Sequence, residues 1–572
     1  MGKTYVVSYI VAVLCVLNTN AANIIWQIGK ADNSASELAL GPSSYKEFLA
    51  KDFGYEDRYF LIGSSKDDKD FPYVLPGPND VWGGTWRTSG WRTHSTNILF
   101  GLDRITEHGE CRLIIDLLDA DPRRSLVKVS VNSVEKKFEI KGKSEKVLDG
   151  VIDEAKGQVL EIPVAASDLK IGGNIVTISV LEGGWIAFDQ VRLEGPYNIK
   201  LKNTHSLVFL RNVSPAKYEI KQGDSMVQPL LIDVEHLSGN PDLTVKLDGK
   251  CIFSSKLDTA RYMFEAPMPA VKKMLESATV LRSPQKEQTL ADYVDTKMGT
   301  AHSRWMIAPG PWMPFSMVKL SPDNQNRGWQ AGYQPTFETV GCFSHIHEWT
   351  MAGLGMMPTN GKLYTRVGDQ FSPDEGYRSR IEKRTEEAPL GYYKVFLTDT
   401  QIEVEATATE RASFQRYIFP QDKDGRVMID LHIQAEYDYK LFDVDVNKVS
   451  DNRIEGHCRQ ISSRIWGKDA EQEYVVNFVI EFDAPIKKVG GWKNDEILDT
   501  SHISGEELSD AGLFVEFDTK KSPIVQVRTG LSYVSISNAS ENLNKEISER
   551  FGWNFEAVVK YQKDVWNSFL TE

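Results

Sequence analysis

Short apolar runs, alternating or continuous and each bounded by Gly, Asp or Asn, set the pattern of this chain. Leu113-Ile-Ile-Asp-Leu-Leu118, Val127-Lys-Val-Ser-Val131, Val159-Leu-Glu-Ile-Pro-Val164 and Ile175-Val-Thr-Ile-Ser-Val180 predict strands, and their spacing between turn residues is the cadence of β-sandwiches. Helical period is confined to the neighbourhoods of Ala266–Ser277 and Ser540–Phe551 and to the final segment. There, after Asn554 as a good N-cap, apolar side chains fall at Phe555, Val558, Val559, Val565, Trp566, Phe569 and Leu570. That i, i+3, i+4 stripe predicts an amphipathic helix. Such a helix either docks back on its own domain or leads into a further one.

Punctuation divides the chain into three units. Residues 23–197 close with Gly183-Gly-Trp-Ile-Ala-Phe-Asp-Gln-Val-Arg-Leu-Glu-Gly-Pro196. Residues 198–287 hold a smaller set of strands, among them Gln228–Val234 and Leu243–Gly249, and end in the polar linker Arg282–Gln288. Residues 289–553 form a large strand-rich domain opening at Ala291-Asp-Tyr-Val-Asp-Thr-Lys-Met-Gly-Thr300. A length of 572 residues requires such a division, because one hydrophobic core does not grow that large.

Charge and targeting narrow the function. The net charge of −14 argues against nucleic acid, whose phosphates need clustered Lys and Arg. Lys3, the apolar stretch Tyr5–Leu17 and the small residues around Thr19-Asn20-Ala21 read as an export signal spanning residues 1–21, too short for a membrane span. The chain is therefore expected to be secreted or periplasmic. Beyond the signal, Cys111, Cys251, Cys342 and Cys458 are widely spaced. They predict buried free thiols rather than a disulfide framework or a zinc site.

Candidate chemistry concentrates in residues 299–361, which hold three of the ten histidines and four of the thirteen tryptophans. Gly and Pro mark this stretch as loops, where functional side chains are usually displayed. Tryptophan faces with short polar side chains suit a sugar. Trp329, His345 and His347 are the first candidates for sugar or interface contacts, followed by Arg304, Trp305 and Glu348. If His345-x-His347 lies on a strand, both imidazoles share one face. A metal, a hydrogen-bonding role toward substrate or a neighbouring domain, and ordinary core packing all stay open. Trp82-Gly-Gly-Thr-Trp-Arg-Thr-Ser-Gly-Trp91 is a second aromatic cluster, either a carbohydrate platform or the lid of a core. Asp67-Asp-Lys-Asp70 and Asp116-x-x-Asp119-x-Asp121 resemble calcium ligands in composition only.

Two families share these motifs. Asp292-Tyr-Val-Asp295, Gly299-Thr300, Pro314-Phe315, Leu320-Ser-Pro-Asp323, Gly332-Tyr333, Phe343-Ser-His-Ile-His347, Met357-Pro-Thr359, Pro389-Leu-Gly-Tyr-Tyr393 and Ala406-Thr-Ala-Thr-Glu-Arg411 occur in one order. With them the segment from Asp292 to about Trp566 resembles the N-terminal domain of glycoside hydrolase family 92, the exo-acting α-mannosidases. Trp26-Gln-Ile-Gly29, Leu117-Leu-Asp-Ala-Asp-Pro122 and the Trp185–Pro196 ending resemble the C-terminal sandwich of polysaccharide lyase family 4, the rhamnogalacturonan lyases, a module that is not catalytic and is similar to carbohydrate-binding domains.

The resemblance implies an all-β architecture: a jelly-roll-like sandwich, a small immunoglobulin-like one, and a large galactose-mutarotase-like sandwich with a C-terminal linker helix over residues 554–572. It implies a calcium-dependent inverting hydrolase, with general acid, general base and most calcium contacts on an (α/α)6 barrel that this chain is not expected to contain. No catalytic residue and no certain cofactor are then expected here, and the partners are a glycan and a separately encoded barrel. The alternative is a non-catalytic carbohydrate-binding or assembly subunit. Ala301-His-Ser-Arg-Trp305 and Glu348-Trp-Thr-Met-Ala-Gly353 depart from the family's glycine-rich loops, and both changes fall where sugar-facing loops would lie.

Overall fold

The computed structural model describes residues 23–54, 58–84, 94–105, 109–202, 208–236, 242–258, 260–268, 285–298, 300, 308–324, 333, 337–347, 353–368, 372–432, 439–462 and 471–571. The expected export signal lies outside them. The expected strands of the first unit form as Glu110–Ala120, Arg124–Val131, Gln158–Ala165 and Gly172–Glu182. Along Arg124–Val131, Ser125, Val127, Val129 and Val131 face inward while their neighbours face out, the period-2 burial of a sheet with one wet face. A five-stranded sheet carrying Asn23–Gly29, Ile186–Gly195 and Glu110–Ala120 packs on a six-stranded one centred on Ser95–Arg104 and Gly172–Glu182. Strand Lys200–Lys202 adds to the edge of the second sheet.

The second unit is thin. Strands Val208–Pro215, Pro229–His236 and Ala260–Pro267 make one sheet, and Asp242–Leu247 pairs with Lys250–Lys256. Ile232, Val234 and Ala266 are the fully buried members of its small core. Ala266, read as the start of a helix, belongs to a strand, and residues 269–284 lie outside the described residues. Cys111, Cys342 and Cys458 are buried free thiols, whereas Cys251 is exposed. The expectation of burial fails there because Lys250–Lys256 turns most of its side chains outward.

The third unit is a sandwich of a seven-stranded and an eight-stranded sheet, filled by a core that includes Phe343, Met356, Tyr417, Phe478 and Trp492. The central strands of the eight-stranded sheet are buried on both faces, whereas Tyr439–Ser450 and His502–Leu508 keep an exposed one. Strand Ala412–Ile418 is buried at every residue but its last: Tyr417 enters the sandwich, while Ala412 and Phe414 enter a second core outside it. Helices Ile536–Leu543 and Phe555–Thr571 cover that outer face through Leu543, Ile547, Phe555 and Val558. Ser535 caps the first of these, its hydroxyl accepting from the Asn538 amide, as an N-cap serine should. Gly530 lets the helix approach, since a Cβ there would sit 2.2 Å from the Ala539 carbonyl oxygen.

The last helix therefore docks on its own domain along its first half. Polar bonds extend the grip: Gln562 is buried and donates to the Pro311 carbonyl, and Trp566 Nε1 donates to the Trp312 carbonyl at 2.7 Å. Asn567 accepts from the Ala291 amide at 2.8 Å, and Lys563 pairs with Asp292. Phe569 and Leu570 stay exposed. Between units, Glu338 of the third is clamped by Lys128 and Lys137 of the first.

Removing one anchor of the outer core tests this arrangement. Leu543→Ala, at a fully buried position, is expected to lower stability by about 2–5 kcal/mol. Urea denaturation followed by tryptophan fluorescence measures it, and a loss well below that range would show that the helix is not held by this face.

Candidate functional site

Strand Ser321–Asp323 pairs antiparallel with Cys342–Ser344, setting Asp323 opposite Cys342 and Ser321 opposite Ser344. These short strands lie at the edge of the seven-stranded sheet, and the chain leaves them in loops on both sides. The Cys342 thiol donates to Asp323 Oδ2 at 3.2 Å. Three residues on, His347 returns to the same spot: its Nε2 lies 2.9 Å from Ser344 Oγ, 3.3 Å from the Ser321 carbonyl oxygen and 3.5 Å from Asp323 Oδ1. Burial pushes the Asp323 carboxyl above its ordinary range, opposed by His347, Ser344 and Cys342. Burial likewise holds Cys342 as a thiol, well above its usual titration.

Trp312 closes one side. Its indole Nε1 donates to Ser321 Oγ at 2.8 Å, its ring centroid is 6.4 Å from that of His347, and Lys319 Nζ lies 5.5 Å from the ring. The indole is half-buried. Arg378 supports the far side of Asp323, donating to the Asn324 carbonyl at 3.0 Å and Thr339 Oγ1 at 3.1 Å. The part-exposed Trp312 indole and Lys319 offer an aromatic surface and an ammonium suited to a hydroxylated ring, backed by His347 and Asp323, whose side chains are 1% and 9% exposed.

His345 has a different situation. Its Nδ1 donates to the Leu354 carbonyl at 2.9 Å, and its Nε2 accepts from Ser413 Oγ at 2.8 Å. The ring is fully buried, and burial lowers its pKa from 6.5 to about 4, with His347 adding to the effect. It is a neutral histidine joining the two sheets. The one-face geometry expected of His345 and His347 does not arise, because the strand ends at Ser344 and strand alternation ends with it. Arg304, Trp305, Trp329 and Glu348 lie outside the described residues. Pattern reading did not single out Asp323 or Trp312 as partners of His347, although both stood in quoted motifs, and Arg378 carried no local signal.

Other shared motif residues build the scaffold. Tyr333 and Tyr393 donate to the buried Glu386. Burial would raise that carboxyl, but Lys383 and Lys297 outweigh it and hold the group at about 2. Thr409 and Arg411 donate to Glu546 of the helical cover, and Tyr392 donates to Glu405 at 2.6 Å. In the first unit, Trp82 sets its edge against Tyr45 and Phe48, with centroids 5.1 and 5.9 Å away, so this tryptophan closes a core. Trp86 and Trp91 lie outside the described residues. Asp67 and Asp119 clamp backbone, at Gly29 and at Lys143–Ser144 respectively.

His345 makes stability depend on pH with a definite sign. Its folded pKa lies below the unfolded one, so acid favours the unfolded chain between about pH 6.5 and about pH 4. The contribution approaches about 3 kcal/mol if the whole shift is expressed. Urea midpoints measured at pH 7 and pH 4.5 are expected to converge more in His345→Gln than in the parent. An unchanged difference would remove the histidine from the acid limb.

Comparison with known proteins places these features. Residues 293–532 match the glycosyl hydrolase family 92 N-terminal domain, and residues 24–193 match polysaccharide lyase family 4, domain III, a carbohydrate-binding-module-like model. Among solved structures, a family 92 α-mannosidase from Bacteroides thetaiotaomicron is 24% identical over 50% of this chain and 38% of its own, with a TM-score of 0.43. The same enzyme in complex with mannoimidazole aligns at 25% identity over 49% of this chain and 37% of its own, with a TM-score of 0.43. A family 92 inverting mannosidase from the same organism aligns at 19% identity over 50% of this chain and 37% of its own, with a TM-score of 0.42. The chain thus spans less than two fifths of the length of these mannosidases. No curated protein sequence matches it. The polypeptide thus matches a polysaccharide lyase family 4 domain III model over residues 24–193 and, after it, a glycosyl hydrolase family 92 N-terminal domain model over residues 293–532.

Proposed function

We propose that this chain is the carbohydrate-binding, active-site-closing part of a family 92-type system that breaks down α-mannosides outside the cytoplasm, secreted or periplasmic. The observation that carries the reading is the Trp312–His347–Asp323 cluster, set among loops within the family 92-type segment and tied to the last helix through the Trp312 carbonyl. His347 is proposed to back the sugar-facing Trp312 surface, its own side chain being 1% exposed. His345 positions the loop from behind, and Trp329, Arg304, Trp305 and Glu348 belong to the stretches that would complete the sugar-facing surface.

A helical barrel, separately encoded, is proposed as the partner that supplies both catalytic carboxyl groups. An apolar edge suits it: Phe315 is 97% exposed and stands 6.1 Å from Phe569, with Leu570, Leu290 and Tyr293 also exposed. Calcium is proposed for the assembled enzyme. Among the described residues no group of three or more His, Cys, Asp or Glu side chains could hold a metal ion. A second reading, a non-catalytic carbohydrate-binding or assembly subunit, draws on the lyase-type domain III match.

The chain alone is expected not to turn over 4-nitrophenyl α-mannoside in calcium, and to do so with a separately expressed family 92-type barrel. Trp312→Ala is then expected to lower kcat/KM by about 10- to 100-fold. Turnover by the chain alone would overturn the proposal. Glycan binding without any barrel-dependent turnover would favour the second reading, and loss of pairing in Trp566→Asp would place the barrel contact on the last helix.

A further inference from the structure

A groove of about 530 Å³ opens on the outer face of the eight-stranded sheet, where the chain turns into the last helix. Arg416, Gln526, Phe551, Trp553, Asn554 and Glu556 line it. This volume lies within the ~300–1,000 Å³ typical of small-ligand sites. It is remote from the cluster around His347. On strand Ala412–Ile418, Ser413 points inward to His345, whereas Arg416 points outward to Glu556. Along the helix, Asn554 and Trp566 are separated by about 18 Å at 1.5 Å per residue.

The lining is built with unspent hydrogen-bonding capacity. Arg416 is 7% exposed; its Nε donates to Glu405 and its Nη2 to Glu556 at 2.8 Å, while Nη1 has no partner among the described residues. A mostly buried guanidinium with one idle donor favours an incoming acceptor. Asn554 uses Oδ1 to cap the helix, accepting from the Ala557 amide at 3.1 Å, which leaves its amide nitrogen as a donor. Gln526 spends its nitrogen on Asp483 and the Trp553 carbonyl, leaving Oε1 as an acceptor. The Trp553 indole is half-buried, with the Arg528 guanidinium 3.7 Å from its ring centroid.

Charge selects the ligand class. Arg416, Arg528 and Arg453 face the carboxylates of Glu405, Glu556 and Glu481, so the charges are paired and no excess of cations attracts an anion. Donors and an acceptor arranged beside an aromatic surface fit a ring with apolar C–H faces and several hydroxyls. We propose that this groove is a second carbohydrate subsite, taking one neutral pyranoside against Trp553 with its hydroxyls shared among Arg416 Nη1, the Asn554 amide and Gln526 Oε1. The proposal stands apart from the α-mannoside reading of the Trp312–His347 cluster.

Titration of the full chain with methyl α-D-mannopyranoside, methyl β-D-glucopyranoside and methyl β-D-galactopyranoside, followed by saturation-transfer NMR, tests it, with sodium glucuronate as the charged comparator. At least one neutral glycoside is expected to saturate, and glucuronate is not. Asn554→Ser, which keeps the helix cap, and Trp553→Leu are each expected to weaken binding by about fivefold or more, in the Trp312→Ala background as in the parent. Circular dichroism confirms that the variants fold, and Asn554→Ser carries the test if Trp553→Leu does not. Absence of saturable binding by all three glycosides, or equal affinity with and without Asn554→Ser in the Trp312→Ala background, would each overturn the assignment.

Discussion

The central strands of the third domain's eight-stranded sheet have to be buried twice. Their inner face meets the seven-stranded sheet, and their outer face presents Ala412, Phe414 and Val479, which water would leave uncompensated. Everything at the carboxyl end answers that constraint. Gly530 removes the one side chain that would hold the covering helix off, and Glu546 pins the cover to Thr409 and Arg411. The turn at Gly552 then starts the last helix with Phe555 and Val558 already in the same apolar layer. Because that helix is fixed at its beginning, Gln562 and Trp566 reach the Pro311–Trp312 backbone, and the loop beside His347 acquires a defined position.

Ionic groups inside this domain serve geometry. Glu386, Glu405 and Glu546 are buried carboxylates, each met by cationic or hydroxyl partners. Such pairs add little net stability against an apolar replacement, but breaking one leaves a stranded charge. Their placement therefore specifies which strand, loop and helix meet. Tyr333, from a distant stretch of chain, meets the nearby Lys383 and Tyr393 at Glu386, and Lys128 and Lys137 carry the same device across to the first sandwich at Glu338.

Much of this was legible in the sequence, and the illegible part has a common cause. Alternation revealed Arg124–Val131 and Gln158–Ala165, because each has one dry face, and a continuous apolar run revealed Glu110–Ala120, which is buried on both. The stripe at Phe555 and Val558 revealed the last helix. Hydrophobic pattern could not show what completes its docking, since Gln562, Lys563 and Asn567 are polar residues whose partners lie more than 250 positions earlier. His345 and His347 look equivalent when counted along a strand, and differ because the strand stops at Ser344. Cys251 shows the opposite failure, a residue type usually buried standing on a strand with most side chains in water. Of the candidate site, His347 and the Trp312 loop were readable as aromatic and imidazole density, whereas Arg378 became visible only when the fold carried it to Asn324.

The tether between Trp566 and the Trp312 carbonyl makes the final helix a lever. Its inner arm is sunk in the outer core, and its outer arm ends at Phe569 and Leu570 in open water. A body that grips that tip would pull, through the helix, on the backbone beneath the indole, and so on the packing of Trp312 against His347.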